Sequence, residues 1–274
     1  MSTHLRNVIL TGIPRSGTTL ITALIDSMSD AVALNEPRWQ YDWMMRHKGG
    51  LPADFAVWLV KDFARLRQQL LQKVPIPERR LRDGTAVTNY YRINSEEQKA
   101  AEIFEVIPFT RPGLTSDFIL AIKHNGLYLS VLRQLMLTQQ FTIIAILRNP
   151  VGVISSWNDV PIPLGQGKMP GAIGYWKDMR ELTESGIPLL EKQVRMYDLV
   201  CQRFYNLRDH IHIIKYEELV KNPNLAGTIV GRDVSSFAKQ IKKRELSFYK
   251  NTDMITAAVK KHGKFYRHFY PKLG

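Results

Sequence analysis

Residues 7–20 read NVILTGIPRSGTTL, and this stretch decides the fold. Its apolar beginning, residues 8–10, predicts a short β-strand. Apolar residues then recur with a period near 3.6, which predicts a helix; they are Leu20, Ile21, Leu24, Ile25 and Met28. Between the two elements, Gly12 and Gly17 have the GxxxxG spacing of a P-loop, in which backbone N–H groups and a helix N-terminus hold a phosphate. The stretch therefore predicts a strand, an anion-binding loop and a helix, with a Gly/Pro turn that binds no ligand as the alternative.

The loop departs in two places from the form that binds ATP and Mg²⁺. Thr18 stands where that form has a lysine, and the positive charge has moved into the loop as Arg15. The strand-like run of residues 141–147 is followed by Arg148, where an NTPase often has an aspartate for the metal. Both departures argue against ATP with Mg²⁺. Fixed Arg, Lys and backbone N–H donors instead suit the transfer of a sulfuryl group, which carries less negative charge than a phosphoryl group.

Strand-like runs alternate with helical segments along the rest of the chain. The runs lie at residues 31–34, 118–122, 141–147 and 211–214. This alternation predicts an α/β fold, a P-loop-like parallel sheet flanked by helices, in a single domain of residues 1–274. Residues 39–113 are less regular, with a helix expected at 55–71 and a second one opened by the capping box at 95–98. We expect this segment to be an insertion that covers the active site.

The net charge limits the classes of binding partner, and the cysteine content indicates the cellular compartment. A formal net charge of +13 attracts anions, so nucleic acid, anionic lipid, a nucleotide and an acidic acceptor all fit, as does a basic solvated face. The one cysteine, Cys201, lies on an apolar helical stripe and is expected to be buried and inert. The chain needs no disulfide, and its longest apolar stretch, residues 141–147, is too short to cross a bilayer. We therefore expect a cytoplasmic protein with no signal peptide or membrane helix.

The loop PRSGTTL resembles that of the sulfotransferases that use 3′-phosphoadenosine 5′-phosphosulfate (PAPS), above all the tyrosylprotein and some bacterial carbohydrate enzymes. The resemblance covers the nucleotide-binding scaffold, residues 7–36 and 118–221. It implies that PAPS is the co-substrate and that no metal is needed. It also implies that the 5′-phosphosulfate group is bound by the loop residues Arg15, Ser16, Gly17, Thr18 and Thr19.

Three further matches extend the resemblance to the rest of the nucleotide. Arg148 ends a strand and Ser156 follows eight residues later, as do the family residues that bind the 3′-phosphate. Pro150 suits the first turn of the helix between them, and two turns then bring Ser156 to the side of Arg148. Tyr216, in IIKYEELVKNP, corresponds to the aromatic residue beside the adenine, although a core tyrosine fits equally well. Lys123, 25 residues before Arg148, matches a family lysine near the transferring group.

Two residues are candidates for the base that takes the proton of the acceptor hydroxyl. Glu36 follows the strand expected at 31–34, so we expect it at the same carboxyl edge of the sheet as the loop. Its distance of 21 residues from Arg15 resembles the spacing of the loop arginine and the catalytic glutamate in tyrosylprotein sulfotransferases. Cytosolic sulfotransferases have a histidine base where this chain has Asn125, and His124 comes one residue early. Because a shift of one residue turns a strand side chain to the opposite face, we prefer Glu36.

These features together predict a sulfotransferase that moves a sulfuryl group from PAPS to a hydroxyl of an acceptor and releases adenosine 3′,5′-bisphosphate. The acceptor, a sugar, phenol, lipid or peptide, stays open, as does the oligomeric state. Aromatic residues of the insertion fit its binding site or the core; they are Trp39, Tyr41, Trp43, Trp58, Tyr90 and Tyr91. Two alternatives are a nucleotide kinase or NTPase with a degenerate loop, and a non-catalytic protein that binds anions or nucleic acid. The first lacks the loop lysine and the second has no recognisable binding motif, so we expect no nucleic-acid partner.

Overall fold

The structure is a computed structural model that describes residues 6–81, 84–89, 91–93, 99–101, 105–234 and 251–273. Its strands are β1 (Asn7–Gly12), β2 (Ala31–Asn35), β3 (Ile76–Arg80), β4 (Tyr91–Ile93), β5 (Lys99–Ala101), β6 (Glu105–Phe109), β7 (Ile119–Lys123), β8 (Thr142–Leu147) and β9 (His212–Lys215). Its α-helices are α1 (Thr18–Asp26), α2 (Arg38–Arg46), α3 (Pro52–Leu71), α4 (Asn125–Ser130), α5 (Leu132–Leu137), α6 (Pro150–Asn158), α7 (Pro170–Ile173), α8 (Lys177–Glu184), α9 (Leu189–Leu207), α10 (Tyr216–Lys221), α11 (Asn224–Val230) and α12 (Thr252–His262). Short 3₁₀ helices lie at Pro163–Gln166, Phe265–His268 and Pro271–Leu273.

Five parallel strands form the central sheet in the order β2-β7-β1-β8-β9. β1 lies in the middle, hydrogen-bonded to β7 on one side and to β8 on the other. Each of the five strands begins and ends within two residues of its predicted bounds. The predicted α/β fold, with a P-loop-like parallel sheet flanked by helices, is confirmed. Because the strands are parallel, their carboxyl ends meet at one edge, and the loop after β1 lies there.

The strand side chains alternate between two apolar clusters, one on each face of the sheet. On β7, Leu120 and Ile122 belong to the larger cluster, whereas Ile119 and Ala121 belong to the smaller one. The larger cluster includes side chains of α3, α6 and α9, and the smaller one includes side chains of α1 and α11. The position of a residue along a strand therefore decides the face on which its side chain lies.

Between β2 and β7 the described residues form two helices and two antiparallel strand pairs outside the central sheet. α3 confirms the helix predicted at 55–71, although it begins three residues earlier with a proline in its first turn. β3 pairs with β6, and β4 pairs with β5. The second predicted helix is wrong at Lys99–Ala101, because these residues pair with β4 as a strand. Its capping box at 95–98 lies outside the described residues.

Most of the aromatic residues of this segment contribute to the core. Partly buried side chains pack against the larger cluster; they include Trp39, Tyr41, Trp43 and Trp58. Tyr90 and the side chain of Tyr91 lie outside the described parts. Cys201 of α9 is buried as expected, and burial raises the pKa of its thiol well above the usual value. No helix in the described ranges is both long and apolar enough to span a membrane.

Candidate active site

The loop between β1 and α1 is fixed tightly to its neighbours in the sheet. At Gly12 an added Cβ would lie 2.5 Å from the backbone oxygen of Ile146 on β8, so only glycine fits. Ser16 donates a hydrogen bond to the same oxygen over 3.0 Å. Trp157 Nε1 on α6 donates to the backbone oxygen of Pro14 over 2.8 Å. The loop is therefore held in one conformation by β8 and α6, as an anion site of backbone N–H groups requires.

Tyr216 and Arg148 lie beside this loop. Gly17, at the N-cap of α1, has a φ of 95°, and a Cβ there would lie 2.5 Å from Cδ2 of Tyr216. The guanidinium carbon of Arg148, directly after β8, is 4.7 Å from the centroid of the same ring. Tyr216 thus contacts both the loop and Arg148. Thr18 and Thr19 begin α1, where the first N–H groups have no partner within the helix.

Arg15 and Ser156, predicted for different phosphate groups, contact each other. Arg15 Nε donates to Ser156 Oγ over 3.1 Å, and its Nη1 lies 3.5 Å from Asn89 Oδ1. Arg15 has a φ of 74°, a conformation that non-glycine residues adopt only when their surroundings hold them there. Ser156 lies on α6, which begins with Pro150 as expected. The loop and the helix after β8 therefore form one continuous polar site.

Lys123 and Glu36 form an ion pair at the same edge of the sheet. Lys123 Nζ lies 2.9 Å from Glu36 Oε1, and Glu36 N donates to the backbone oxygen of Lys123 over 2.8 Å. Glu36 also has a positive φ, of 51°. Burial alone would raise the pKa of Glu36, but the nearby charges of Lys123, His124 and Arg79 lower it to about 2. Glu36 is therefore a carboxylate at neutral pH.

His124 lies on the other face of the sheet from Lys123. It continues the extended backbone of β7, with φ −150° and ψ 112°, so the alternation turns its side chain to the larger cluster. Its ring centroid is 5.6 Å from that of Tyr128 in that cluster. Burial and the positive charges of Lys123 and Arg79 lower the pKa of His124 to about 4, so the imidazole is neutral at pH 7. Its Nδ1 is buried with no hydrogen-bond partner among the described residues.

The sulfotransferase domain model matches residues 5–229. The chain belongs to the sulfotransferase family. The crystal structure of a sulfotransferase from Alicyclobacillus acidocaldarius is similar to this sulfotransferase over 96% of this chain and 94% of that one, with 12% identity and a TM-score of 0.48. No curated protein matches the sequence.

The structure adds residues to the site of this sulfotransferase that the sequence did not indicate. Arg79 of β3 lies 3.7 Å from Glu36 Oε2, measured from its Nη1. Asn89 reaches Arg15, and Trp157 fastens the loop. These contacts join segments 43 to 143 residues apart, and no local pattern around the three residues marks them as partners of the site. The ERR run around Arg79, which is polar within a strand, is the sequence signal that could have indicated Arg79.

The arrangement combines several basic side chains with the Glu36 carboxylate. The basic side chains come from the loop, from two strand ends and from β3; they are Arg15, Lys123, Arg148 and Arg79. Such a set can bind a polyanion and stabilise negative charge on a departing oxygen, while Glu36 can accept a proton. Within the described ranges, no three His, Cys, Asp or Glu side chains come together in a way that could hold a metal ion.

Proposed function

We propose that this sulfotransferase uses PAPS as its co-substrate and transfers the sulfuryl group to a hydroxyl of its acceptor. The observation that carries the proposal is the Lys123–Glu36 pair, 2.9 Å apart and beside the phosphate loop. Lys123 supplies a cation for the oxygen that departs from sulfur. Glu36 supplies a carboxylate for the proton of the attacking hydroxyl. Both roles are needed at one place, because bond formation and bond breaking occur on the same sulfur atom.

The residues around the loop fit the nucleotide part of PAPS. The loop and the start of α1 would bind the 5′-phosphosulfate through Arg15, Ser16, Gly17, Thr18 and Thr19. Arg148 and Ser156 would bind the 3′-phosphate, and Tyr216 would lie against the adenine. The proposal is supported by the close packing of Tyr216 on the loop, where a Cβ at Gly17 would clash with the Tyr216 ring at 2.5 Å. The contact between Arg15 and Ser156 supports adjoining sites for the two phosphate groups.

The ion pair also indicates how the base is activated. A carboxylate with a pKa of about 2 is a weak base, and general bases work best when their pKa lies nearer the working pH. When Lys123 turns to the departing oxygen, Glu36 loses its nearest cation and its pKa rises towards the ordinary value. Lys123 and Arg15 would then stabilise the leaving oxygen while Glu36 takes the proton. His124 is kept as the alternative base.

We also propose a role for residues 39–113, a domain organisation, a cellular compartment and a class of acceptor. We propose that residues 39–113 cover the acceptor, because Arg79 within them contacts Glu36. Residues 1–274 would then act as a single sulfotransferase domain. The cytoplasm is proposed from the single, buried cysteine. A sugar, phenol, lipid or peptide hydroxyl is the proposed acceptor.

The test of the function combines ligand binding with transfer. Thermal unfolding is measured with adenosine 3′,5′-bisphosphate, with ATP and Mg²⁺, and with an oligonucleotide, because a true ligand raises the melting temperature by mass action. We expect the bisphosphate alone to raise it. The protein is then incubated with ³⁵S-labelled PAPS and a panel of sugar, phenol, lipid and peptide alcohols. A shift only with ATP and Mg²⁺, or only with the oligonucleotide, would replace the proposal with a kinase-like or nucleic-acid-binding function.

A further inference from the structure

The Glu36 carboxylate lies between two cations from different parts of the fold. Lys123 of β7 contacts Oε1 over 2.9 Å, and Arg79 of β3 lies 3.7 Å from Oε2. We propose that Arg79 is a positioning residue of the acceptor site, which keeps the Glu36 carboxylate in place when Lys123 turns to the departing oxygen. The inference rests on the proposed roles of Glu36 and Lys123.

Arg79 is held firmly in place by its two neighbours on β3. Glu78 accepts a hydrogen bond from the backbone N–H of Asn35, the residue before Glu36, over 2.9 Å. Arg80 donates to both carboxylate oxygens of Asp26 over 2.6 and 3.1 Å. The Glu78 and Arg80 side chains are 3% and 2% exposed, so both anchors are buried. The backbone of Arg79 is therefore fixed relative to β2 and to the carboxylate that follows it.

β6, the antiparallel partner of β3, also helps to fix the position of Arg79. Arg111, two residues after β6, lies 2.8 Å from Asp26 Oδ2, on the carboxylate that Arg80 also binds. The Phe109 ring of β6 lies against Arg80, with its centroid 4.0 Å from the guanidinium carbon. Burial raises the pKa of Asp26, but Arg80 and Arg111 hold it below the usual value, so the cluster stays charged at neutral pH. The β3–β6 pair thus holds the backbone of Arg79 in a fixed position.

Glu36 needs such a partner because its other constraints are weak. Its side chain is 28% exposed, so the carboxylate has room to turn into solvent once Lys123 leaves. The groups that act on its charge are Lys123 and His124 at the end of β7 and Arg79 on β3. His124 is neutral at pH 7, so Arg79 is the cation that remains among the described residues that act on this carboxylate. A carboxylate that turned away would lose the geometry that proton transfer requires.

The first experiment compares turnover and nucleotide binding in variants of the full chain. Arg79→Gln and Arg79→Met remove the charge, Arg79→Lys keeps it, and Arg133→Gln removes the same charge from an exposed position on α5 as the control. With saturating PAPS, we expect the first two variants to lower kcat by about 10-fold to 100-fold, the scale of misplacing a catalytic group. Arg79→Lys should recover most of this loss. The dissociation constant of adenosine 3′,5′-bisphosphate should stay the same in all four variants.

The second experiment does not depend on activity. NMR titration follows the imidazole of His124 and the carboxyl carbon of Glu36 in the wild type, Arg79→Gln and Arg133→Gln. Removing the Arg79 charge should raise the pKa of Glu36 above about 2 and that of His124 above about 4, because the charge lowers both. Arg133→Gln should change neither.

The outcomes separate this inference from the proposed function. A wild type that transfers no sulfuryl group to any acceptor refutes the function, whereas the titration still decides whether Arg79 acts on Glu36. If the wild type is active and the Arg79 variants match Arg133→Gln in turnover and in both titrations, Arg79 is not a positioning residue. A uniform loss of nucleotide binding in the Arg79 variants would also overturn the inference, because it would assign Arg79 to the nucleotide site.

Discussion

At the scale of single residues, the important contacts join positions that are far apart in the sequence. Lys123 and Glu36 could each be predicted, because each follows a recognisable strand and strand ends meet at one edge of the sheet. Their direct contact, across 87 residues, could not be predicted. The same holds for Arg79, which no strand of the central sheet carries. The sequence indicates which residues reach the edge, but side-chain packing decides which of them touch.

The choice between the two bases gives the first prediction. Glu36→Gln keeps the shape of the side chain and removes the basic oxygen, so turnover should fall about 10²-fold to 10⁴-fold, the usual worth of general base catalysis. Binding of adenosine 3′,5′-bisphosphate should hardly change. His124→Ala should cost much less, because the imidazole lies on the other face of the sheet beside Tyr128. Single-turnover transfer and calorimetric binding measure both effects; an active Glu36→Gln beside a folded, inactive His124→Ala would move the role to His124.

The 3′-phosphate gives the second prediction, also at the scale of residues. Charge-assisted hydrogen bonds contribute roughly 1.5 to 3 kcal/mol, so adenosine 3′,5′-bisphosphate should bind at least about 10-fold more tightly than 5′-AMP. Arg148→Gln and Ser156→Ala should each reduce this preference. Ser155→Ala is the matched control, because the Ser155 hydroxyl is buried without a described partner one residue away. Calorimetry measures the affinities, and equal affinities for the two nucleotides would contradict the assignment.

At the scale of elements, the central strands were predictable and the outer strand pairs were not. The strands of the sheet are apolar runs buried on both faces, so their sequences alone set them apart. β3 reads IPERR, with polar residues that burial would normally exclude, and its partner β6 begins 25 residues after β3 ends. β3 is stabilised by the buried contacts of Glu78 and Arg80 with distant residues. No local sequence pattern indicates these contacts.

The buried carboxyl group of Glu78 gives the third prediction. Burial raises the pKa of Glu78 from 4.5 to about 8, so the folded protein keeps a proton between these values that the unfolded chain releases. The free energy of unfolding should therefore fall as the pH rises from 4.5 to 8, by up to about 1.4 kcal/mol per pH unit. Glu78→Gln should lack this contribution and gain stability relative to the wild type as the pH rises. Urea unfolding at pH 5, 6, 7 and 8 measures it, and parallel curves would show that Glu78 is ionised when folded.

At the scale of the whole molecule, the net charge of +13 and the parallel sheet work together. The sheet brings the loop after β1, Lys123, Arg148 and the Glu36 loop to one edge, and an excess of positive charge favours the approach of anions to the protein. The charge alone could not distinguish nucleic acid from a nucleotide. The loop and the Arg148–Ser156 pair, in the order that the family has them, indicated a sulfotransferase, and the domain match over residues 5–229 confirmed the family.

The fourth prediction concerns the reaction as a whole. Sulfuryl transfer should continue in EDTA, because in the proposed mechanism Arg15, Lys123 and backbone N–H groups would supply the stabilisation that kinases obtain from Mg²⁺. The measurement is turnover of chelator-treated protein with and without added Mg²⁺, with a Mg²⁺-dependent kinase assayed in parallel to show that chelation is complete. Turnover that disappears on chelation and returns with Mg²⁺ would contradict the metal-free mechanism.

The central position of β1 has a consequence for the order of folding during synthesis. The loop between β1 and α1 is synthesised well before the strands on either side of β1, which are Ile119–Lys123 and Thr142–Leu147. The loop therefore gains both supporting strands only when the chain has been made as far as Leu147, 130 residues beyond Gly17. Long-range parallel pairing of this kind is slow, and its apolar strands stay exposed meanwhile. While the chain is being made, the apolar strand Asn7–Gly12 thus exists for a long interval without the two strands that flank it in the folded protein.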